Sequence, residues 1–302
     1  MLAQAIESYI ALRRATGFAF NPQARFLRSF AAFSKTRGES FVRVPVATQW
    51  AGLAPSAPQR ARRLGIVIRF ARHLHAEDRR HEIPPQIFGP EKLPRPVPYI
   101  LSPEQIRDLI RAASHSGHRT LRGETYSTLF ALLACTGLRV SEAINLRFED
   151  LTPDGLVIRC TKFRKSRLVP LHETARVGLE RYLYLRHPYA PTDDHIFVSL
   201  RRKPLLVLYV DTAFRTAARA IGLANGPGRH HPTPRSLRHT FAVRALKSCP
   251  EGRDAITQHM LALSTYLGHT HYAYTYWYLE AVPELMNDIA IQCERFVNGG
   301  QP

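Results

Sequence analysis

Four short stretches carry residue types that can act together on anionic oxygen. They are Thr136-Gly-Leu-Arg-Val-Ser-Glu-Ala, Thr161-Lys-Phe-Arg-Lys-Ser-Arg-Leu-Val-Pro-Leu, Pro234-Arg-Ser-Leu-Arg-His-Thr-Phe-Ala, and Thr265-Tyr-Leu-Gly-His followed by Tyr274-Thr-Tyr-Trp-Tyr-Leu. A guanidinium fork matches a pair of oxygens and stays charged at every relevant pH. Lysine and histidine can move protons. A tyrosine hydroxyl can attack as a nucleophile once its proton is removed. Metal chemistry is not expected: the cysteines Cys135, Cys160, Cys249 and Cys293 are scattered, with no C-x-x-C pair, which argues against a zinc site and a disulfide framework. No cofactor is called for.

Charge points to the same class of ligand. Lys and Arg number 42 against 24 Asp and Glu, a formal net charge of +18 in 302 residues. Such an excess favours a polyanion, and arginine in particular suits phosphate. The basic residues are spread through patterned segments, so the binding surface is expected to be folded rather than a tail. No run of about 18 apolar residues occurs, so a membrane span is not expected. The N-terminus reads as an amphipathic helix and not a secretory signal; a cytoplasmic location, in the prokaryotic cytosol or nucleoid, follows as the default.

The elements that must position these stretches form two groups. Residues 1–83 read as helices: Leu2, Ile6, Tyr9 and Ile10 share a face, Phe26, Phe30 and Phe33 continue the theme, and Leu64, Ile66, Ile68, Phe70 and Leu74 follow. Arginines, Arg60 and Arg63 among them, interleave with the apolar positions and are candidates for DNA contact. Residues 84–100 are rich in proline, which disfavours helix and suits an extended linker. Ser102-Pro-Glu-Gln restarts a helix with a capping box. In the second group, 101–302, Leu156–Cys160 and Arg167–Leu171 alternate around a basic turn and predict a β-hairpin. Helices are expected near 173–186, 207–221, 236–246, 253–263 and 283–297. The fold class is therefore mainly α with a small β-sheet (α+β).

In order, spacing and context the four stretches resemble the catalytic domain of the tyrosine recombinases, the phage integrase family. The resemblance covers roughly residues 100–297, and residues 1–83 look like that family's helical core-binding domain on weaker grounds. It implies a C-shaped clamp on duplex DNA and cleavage through a 3′-phosphotyrosine. The scissile phosphate then passes through a five-coordinate state whose extra charge needs preorganised donors. By position Arg139 and Arg238 supply them, with Glu142, three residues after Arg139, orienting it. Lys162 aligns as the acid that protonates the departing 5′ oxygen, with Lys165 a rival on the same turn and Arg164 and Lys165 candidates for phosphate contact. His269 follows Leu-Gly and can donate to phosphate or position the nucleophile. The family's tyrosine falls nine residues after this histidine, at Tyr278, with Tyr276 the rival.

One position departs from the family. Arg235 stands where a histidine is usual, and an arginine can donate to phosphate but cannot shuttle a proton. His239, His230 or His231 are the candidates to substitute. The strings around His269 and Tyr278 look more like those of mobile-element recombinases than of chromosome-dimer resolvases. The expected partners are double-stranded DNA, further copies of the chain in a homo-tetramer on synapsed sites, and accessory recombinases. The amphipathic segment 283–297 either caps its own domain or docks on a neighbouring protomer. Two other readings stay open: a catalytically silent DNA-binding accessory protein, for which Arg235 speaks, and a type IB-like topoisomerase.

Overall fold

The computed structural model describes residues 2–89, 97–117, 120–159, 166–190, 192–223, 231–248, 253–269, 271, 273–278 and 294. The chain divides into two compact units, Met1–Pro96 and Val97–Pro302. Among the described residues no helix is long and apolar enough to cross a membrane.

The first unit is helical: α1 (Leu2–Ala15), α2 (Asn21–Lys35), α3 (Val44–Gly52) and α4 (Ala57–Glu77). α1 buries the Leu2, Ile6, Tyr9 and Ile10 stripe. On α2 the buried face is Ala24, Leu27, Phe30 and Ser34. Phe26 and Phe33 flank it half-buried, each beside an arginine: Arg63 lies 5.9 Å from the Phe26 ring and Arg37 4.3 Å from that of Phe33. All three phenylalanines meet this unit's core, Phe30 inside it and Phe26 and Phe33 packed against its edge. Gln86 donates to the Ala61 carbonyl at 3.2 Å and Phe88 packs on the core, so the start of the proline-rich stretch is bound to this unit.

The second unit contains α5 (Pro103–Ser114), α6 (Leu121–Thr136), α7 (Val140–Ala143), β1 (Leu151–Thr152), β2 (Gly155–Ile158), β3 (Arg167–Val169), α8 (Glu173–Arg186), α9 (Val207–Ala220), α10 (Pro234–Lys247), α11 (Arg253–Leu267) and α12 (Ala273–Tyr276). Ser102 caps α5 as expected: its hydroxyl accepts from Gln105 N–H at 3.2 Å, and the Gln105 side chain accepts from Ser102 N–H at 2.9 Å. The core is built on α6, whose Leu129, Phe130, Leu132 and Leu133 are buried. β2 and β3 pair antiparallel, Leu156 opposite Val169 and Ile158 opposite Arg167. A short third strand, β1, joins on the other edge of β2; two residues are too few to leave an alternation in sequence. The hairpin's basic turn, the segment 283–297 save residue 294, and Cys160, Cys249 and Cys293 lie outside the described residues.

Candidate active site

The site forms where the α6–α7 turn, β3, the start of α10 and the end of α11 converge. Gly137 ends α6 in the left-handed conformation, φ +61°, where a side chain would be strained. A Cβ there would also sit 2.5 Å from the Phe241 ring. The sharp exit makes Arg139 the first residue before α7, which places Glu142 back against it. The Glu142 carboxylate accepts from Arg139 N–H at 3.0 Å and from Arg139 Nη1 at 2.6 Å. Glu142 also accepts from Arg167 Nη2 at 2.8 Å and Nη1 at 3.2 Å. Its side chain is 8% exposed and that of Arg167 11%. Burial alone would raise the Glu142 pKa. The hydrogen bond from Arg167, the Arg139 N–H and both positive charges outweigh it and hold the carboxyl below its ordinary 4.5.

Three arginines from three separate elements close on consecutive carbonyls at the end of α11. Arg167 Nε donates to Tyr266 O at 2.7 Å, Arg238 Nη2 to Leu267 O at 2.7 Å, and Arg139 Nη2 to Gly268 O at 2.8 Å. The physical reason is the helix terminus. The last carbonyls of a helix have no partner within it, and the macrodipole makes that end negative. Gly268 (φ +65°) and His269 terminate α11, their N–H groups returning to Thr265 O and Ser264 O at 2.9 and 3.0 Å. This is the Schellman arrangement, which satisfies two carbonyls by itself and turns the chain sharply.

Arg238 is 6% exposed and also donates to Gly137 O at 2.7 Å. Burial, then the charge of Arg139, pulls its pKa down to about 10, opposed by Tyr278 and Glu142; it remains charged at neutral pH. Tyr278 lies within electrostatic reach of this guanidinium. Arg238 Nη2 lies 3.2 Å from His269 Nε2, and His269 Nδ1 lies 2.8 Å from the Thr275 hydroxyl. Tyr278 is 4% exposed and packs among Ala242, Val243, Leu246, Leu263 and Leu267. Its ring stacks on His269, centroids 6.1 Å apart, and meets His239 edge-on at 5.6 Å.

The structure thus brings together Arg139, Glu142, Arg238, His239, His269 and Tyr278. Arg235, one turn ahead of Arg238, is exposed, and Tyr276 is 56% exposed. His231 is exposed as well. Lys162, Arg164, Lys165 and His230 lie outside the described residues. In the first unit, Arg60 and Arg63 are both half-buried. Arg60 Nε donates to Ala54 O at 2.8 Å, and Arg63 lies 5.5 Å from the Trp50 ring. Sequence reasoning missed Arg167 and the Thr275–His269 contact. A signal for the first existed: Arg167 and Val169 share one face of a strand and Val169 is core, so Arg167 had to point inward.

Taken together, three guanidiniums around one carboxylate leave net positive charge beside a buried tyrosine hydroxyl, which suits a phosphodiester under attack. Comparison with known proteins agrees. The description "Phage integrase family" matches residues 100–284. The chain is 38% identical to a candidate integrase/recombinase of Sinorhizobium fredii, y4rB, over 97% of this chain and 96% of that one. It is 32% identical to the tyrosine recombinase XerD of Proteus mirabilis, over 76% and 69%. The fold is shared with a Tn1549 transposon integrase solved with transposon right end DNA: TM-score 0.65, 15% identity, 96% of this chain and 99% of that one. A XerH recombinase bound to a palindromic difH substrate gives TM-score 0.66 at 17% identity, over 95% and 84%. A chain with this cluster, matched by the family over most of its second unit and by a relative along nearly its whole length, belongs to the phage integrase family and is a site-specific tyrosine recombinase.

Proposed function

We propose that the chain cuts and rejoins double-stranded DNA with Tyr278 as nucleophile, in the service of a mobile element. The observation that carries this reading is buried Tyr278 set within electrostatic reach of Arg238, with Arg139 tied to the same end of α11. Arg139 and Arg238 would turn their N–H groups from backbone carbonyls to the non-bridging oxygens of the scissile phosphate. Tyr278 attacks phosphorus, the 5′ oxygen leaves, and Lys162 protonates it. The phosphotyrosine ester keeps the bond energy, so a 5′ hydroxyl can reverse the step without metal or nucleotide. Four protomers would then bring two sites together and exchange strands through a four-way junction. Support comes from a λ integrase solved as a tetramer bound to a Holliday junction, TM-score 0.60 at 17% identity, and from the transposon integrase bound to its DNA end.

The test needs no known target. The protein is incubated with a library of nicked, randomised duplexes, in which the cleaved fragment diffuses away and traps the covalent state. Tryptic peptides are then searched by mass spectrometry. A nucleotide adduct on the Tyr278 peptide, lost in Tyr278→Phe with DNA binding retained, is the expected outcome. Binding with no adduct favours the silent accessory protein instead, the reading for which the exposed Arg235 speaks.

A further inference from the structure

We infer that His269 is the proton acceptor for Tyr278, and that Thr275 is the positioning residue that holds it in the tautomer this requires. The inference rests on Tyr278 being the nucleophile. It starts from the hydrogen-bonding inventory. An arginine only donates, so His269 Nε2, 3.2 Å from Arg238 Nη2, must be an acceptor. A protonated ring would set two cationic N–H groups against each other there, with the Arg139 charge close by. The imidazole is therefore neutral, with its lone pair on Nε2 and its proton on Nδ1. That proton is donated to the Thr275 hydroxyl at 2.8 Å. Thr275 is 1% exposed, so solvent does not compete for the contact.

The same guanidinium faces both ends of the proton transfer. Arg238 is a partner of His269 Nε2 and lies within electrostatic reach of Tyr278, and the two rings stack at 6.1 Å and 21°. Once a DNA phosphate draws the Arg238 N–H groups away, the Nε2 lone pair is released beside the hydroxyl. The Tyr278 O–H bond then breaks as the bond from its oxygen to phosphorus forms. The proton passes to Nε2, making His269 imidazolium. The bond from phosphorus to the 5′ oxygen breaks, and that oxygen leaves protonated by the general acid. On rejoining, His269 returns its proton to Tyr278. Arg235 cannot take this role, being a donor and exposed. The rival acceptor is His239, whose ring meets Tyr278 at 5.6 Å but is turned 60° to it and also packs on Trp277 at 5.1 Å.

Two readouts test the inference on the full chain. Long-range ¹H–¹⁵N correlation spectra of the histidine rings without DNA, with His269 assigned by its loss in His269→Gln, report the tautomer. Rates of Tyr278 adduct formation on the nicked duplex library report the proton transfer. His269 should be the neutral Nδ1–H tautomer at neutral pH. Thr275→Val should mix the tautomers and slow adduct formation roughly 3- to 10-fold, the effect of one net hydrogen bond; Thr275→Ser should restore both. His269→Gln should lose about 10²- to 10⁴-fold, the usual range for acid–base catalysis. A proton on Nε2, an imidazolium, or that size of loss in His239→Gln in place of His269→Gln overturns the assignment. Wild-type protein that forms no adduct at all overturns the nucleophile reading, and the inference with it.

Discussion

Glu142 is the residue whose removal tests the electrostatics of the site most directly. Among the described residues it is the one carboxylate that pairs with Arg139 and Arg167, it is nearly buried, and it accepts four hydrogen bonds, two from each. Removing one partner of a buried ion pair costs about 3–5 kcal/mol, because the other charge is left uncompensated. Here the stranded charge is Arg167, 11% exposed; Arg139 is 36% exposed and its share is screened by solvent. Glu142→Gln keeps the shape and one acceptor but turns an amide N–H₂ toward a guanidinium, so the lower end of that range applies. With a urea slope of about 2–3 kcal/mol per M, a loss of about 3 kcal/mol lowers the second unit's midpoint by about 1–1.5 M. The chain has two tryptophans, Trp50 in the first unit and Trp277 beside the site. Fluorescence in a Trp50→Phe background therefore follows the second unit alone. The double variant Glu142→Gln/Arg167→Met should recover part of the loss, since it removes both charges. A midpoint shift under about 0.3 M, or a double variant worse than the sum of the singles, would refute the argument that Glu142 compensates these arginines.

Two further perturbations test the stability of each unit. In the first unit, His81 accepts the Val42 N–H on Nδ1 at 3.1 Å. Burial holds its pKa below the ordinary 6.5, against the opposing pull of Asp78. The unfolded chain thus binds the proton more readily, and this contribution is fully present above about pH 6.5 and lost as pH falls below it. Urea midpoints read through Trp50 should drop between about pH 6.5 and 5 in wild type and less in His81→Gln; equal slopes would remove His81 as the cause. In the second unit, a Cβ on Gly123 would lie 2.2 Å from the Ser114 carbonyl oxygen where α5 packs on α6. The obstacle is backbone, so the helices must separate, and Gly123→Ala should cost about 1–3 kcal/mol in urea unfolding; a change within about 0.5 kcal/mol would show that the helix pair yields freely.

The sequence made the helices legible where one periodic stripe met a clear boundary. α8 is found at Glu173–Arg186 because a polar capping turn precedes it and the apolar spacing persists to its end. α5 was announced by Ser102, Pro103 and Gln105, whose side chains act on their own backbone and need no tertiary partner. β1 was not foreseen: two residues complete the strand period once, too few to show an alternation. Site residues followed the same division. Arg139 and Glu142 are three apart, so their contact is local and readable. Arg167 and Glu142 are 25 residues apart, and the Arg167–Tyr266 bond spans 99. Only the folded chain joins them. His269 and Thr275 are close in sequence, but their bond depends on the turn made at Gly268, and hydroxyl-to-imidazole contacts leave no periodic trace.

The three carbonyls at the end of α11 also explain how a cationic site can exist before any anion arrives. Arg139, Arg167 and Arg238 repel one another, and Arg238 is almost wholly out of water. One carboxylate cannot neutralise all three. The helix terminus supplies the rest as dipoles, one carbonyl per arginine, in a region where the lower dielectric strengthens each contact. Dipoles have a property that a second carboxylate would lack. They hold a guanidinium in place, but they carry no full charge to compete with a phosphate for it. An anion with full negative charge can therefore draw Arg139 and Arg238 from Gly268 and Leu267, while Arg167 stays bound to Glu142 and keeps the frame. Under the proposed function, Arg139 keeps its Nη1 bond to Glu142 at 2.6 Å and gives up its Nη2 bond to Gly268, Arg238 exchanges backbone dipoles for the phosphate, and Arg139, its side chain 36% exposed, is the more open of the two to an incoming strand.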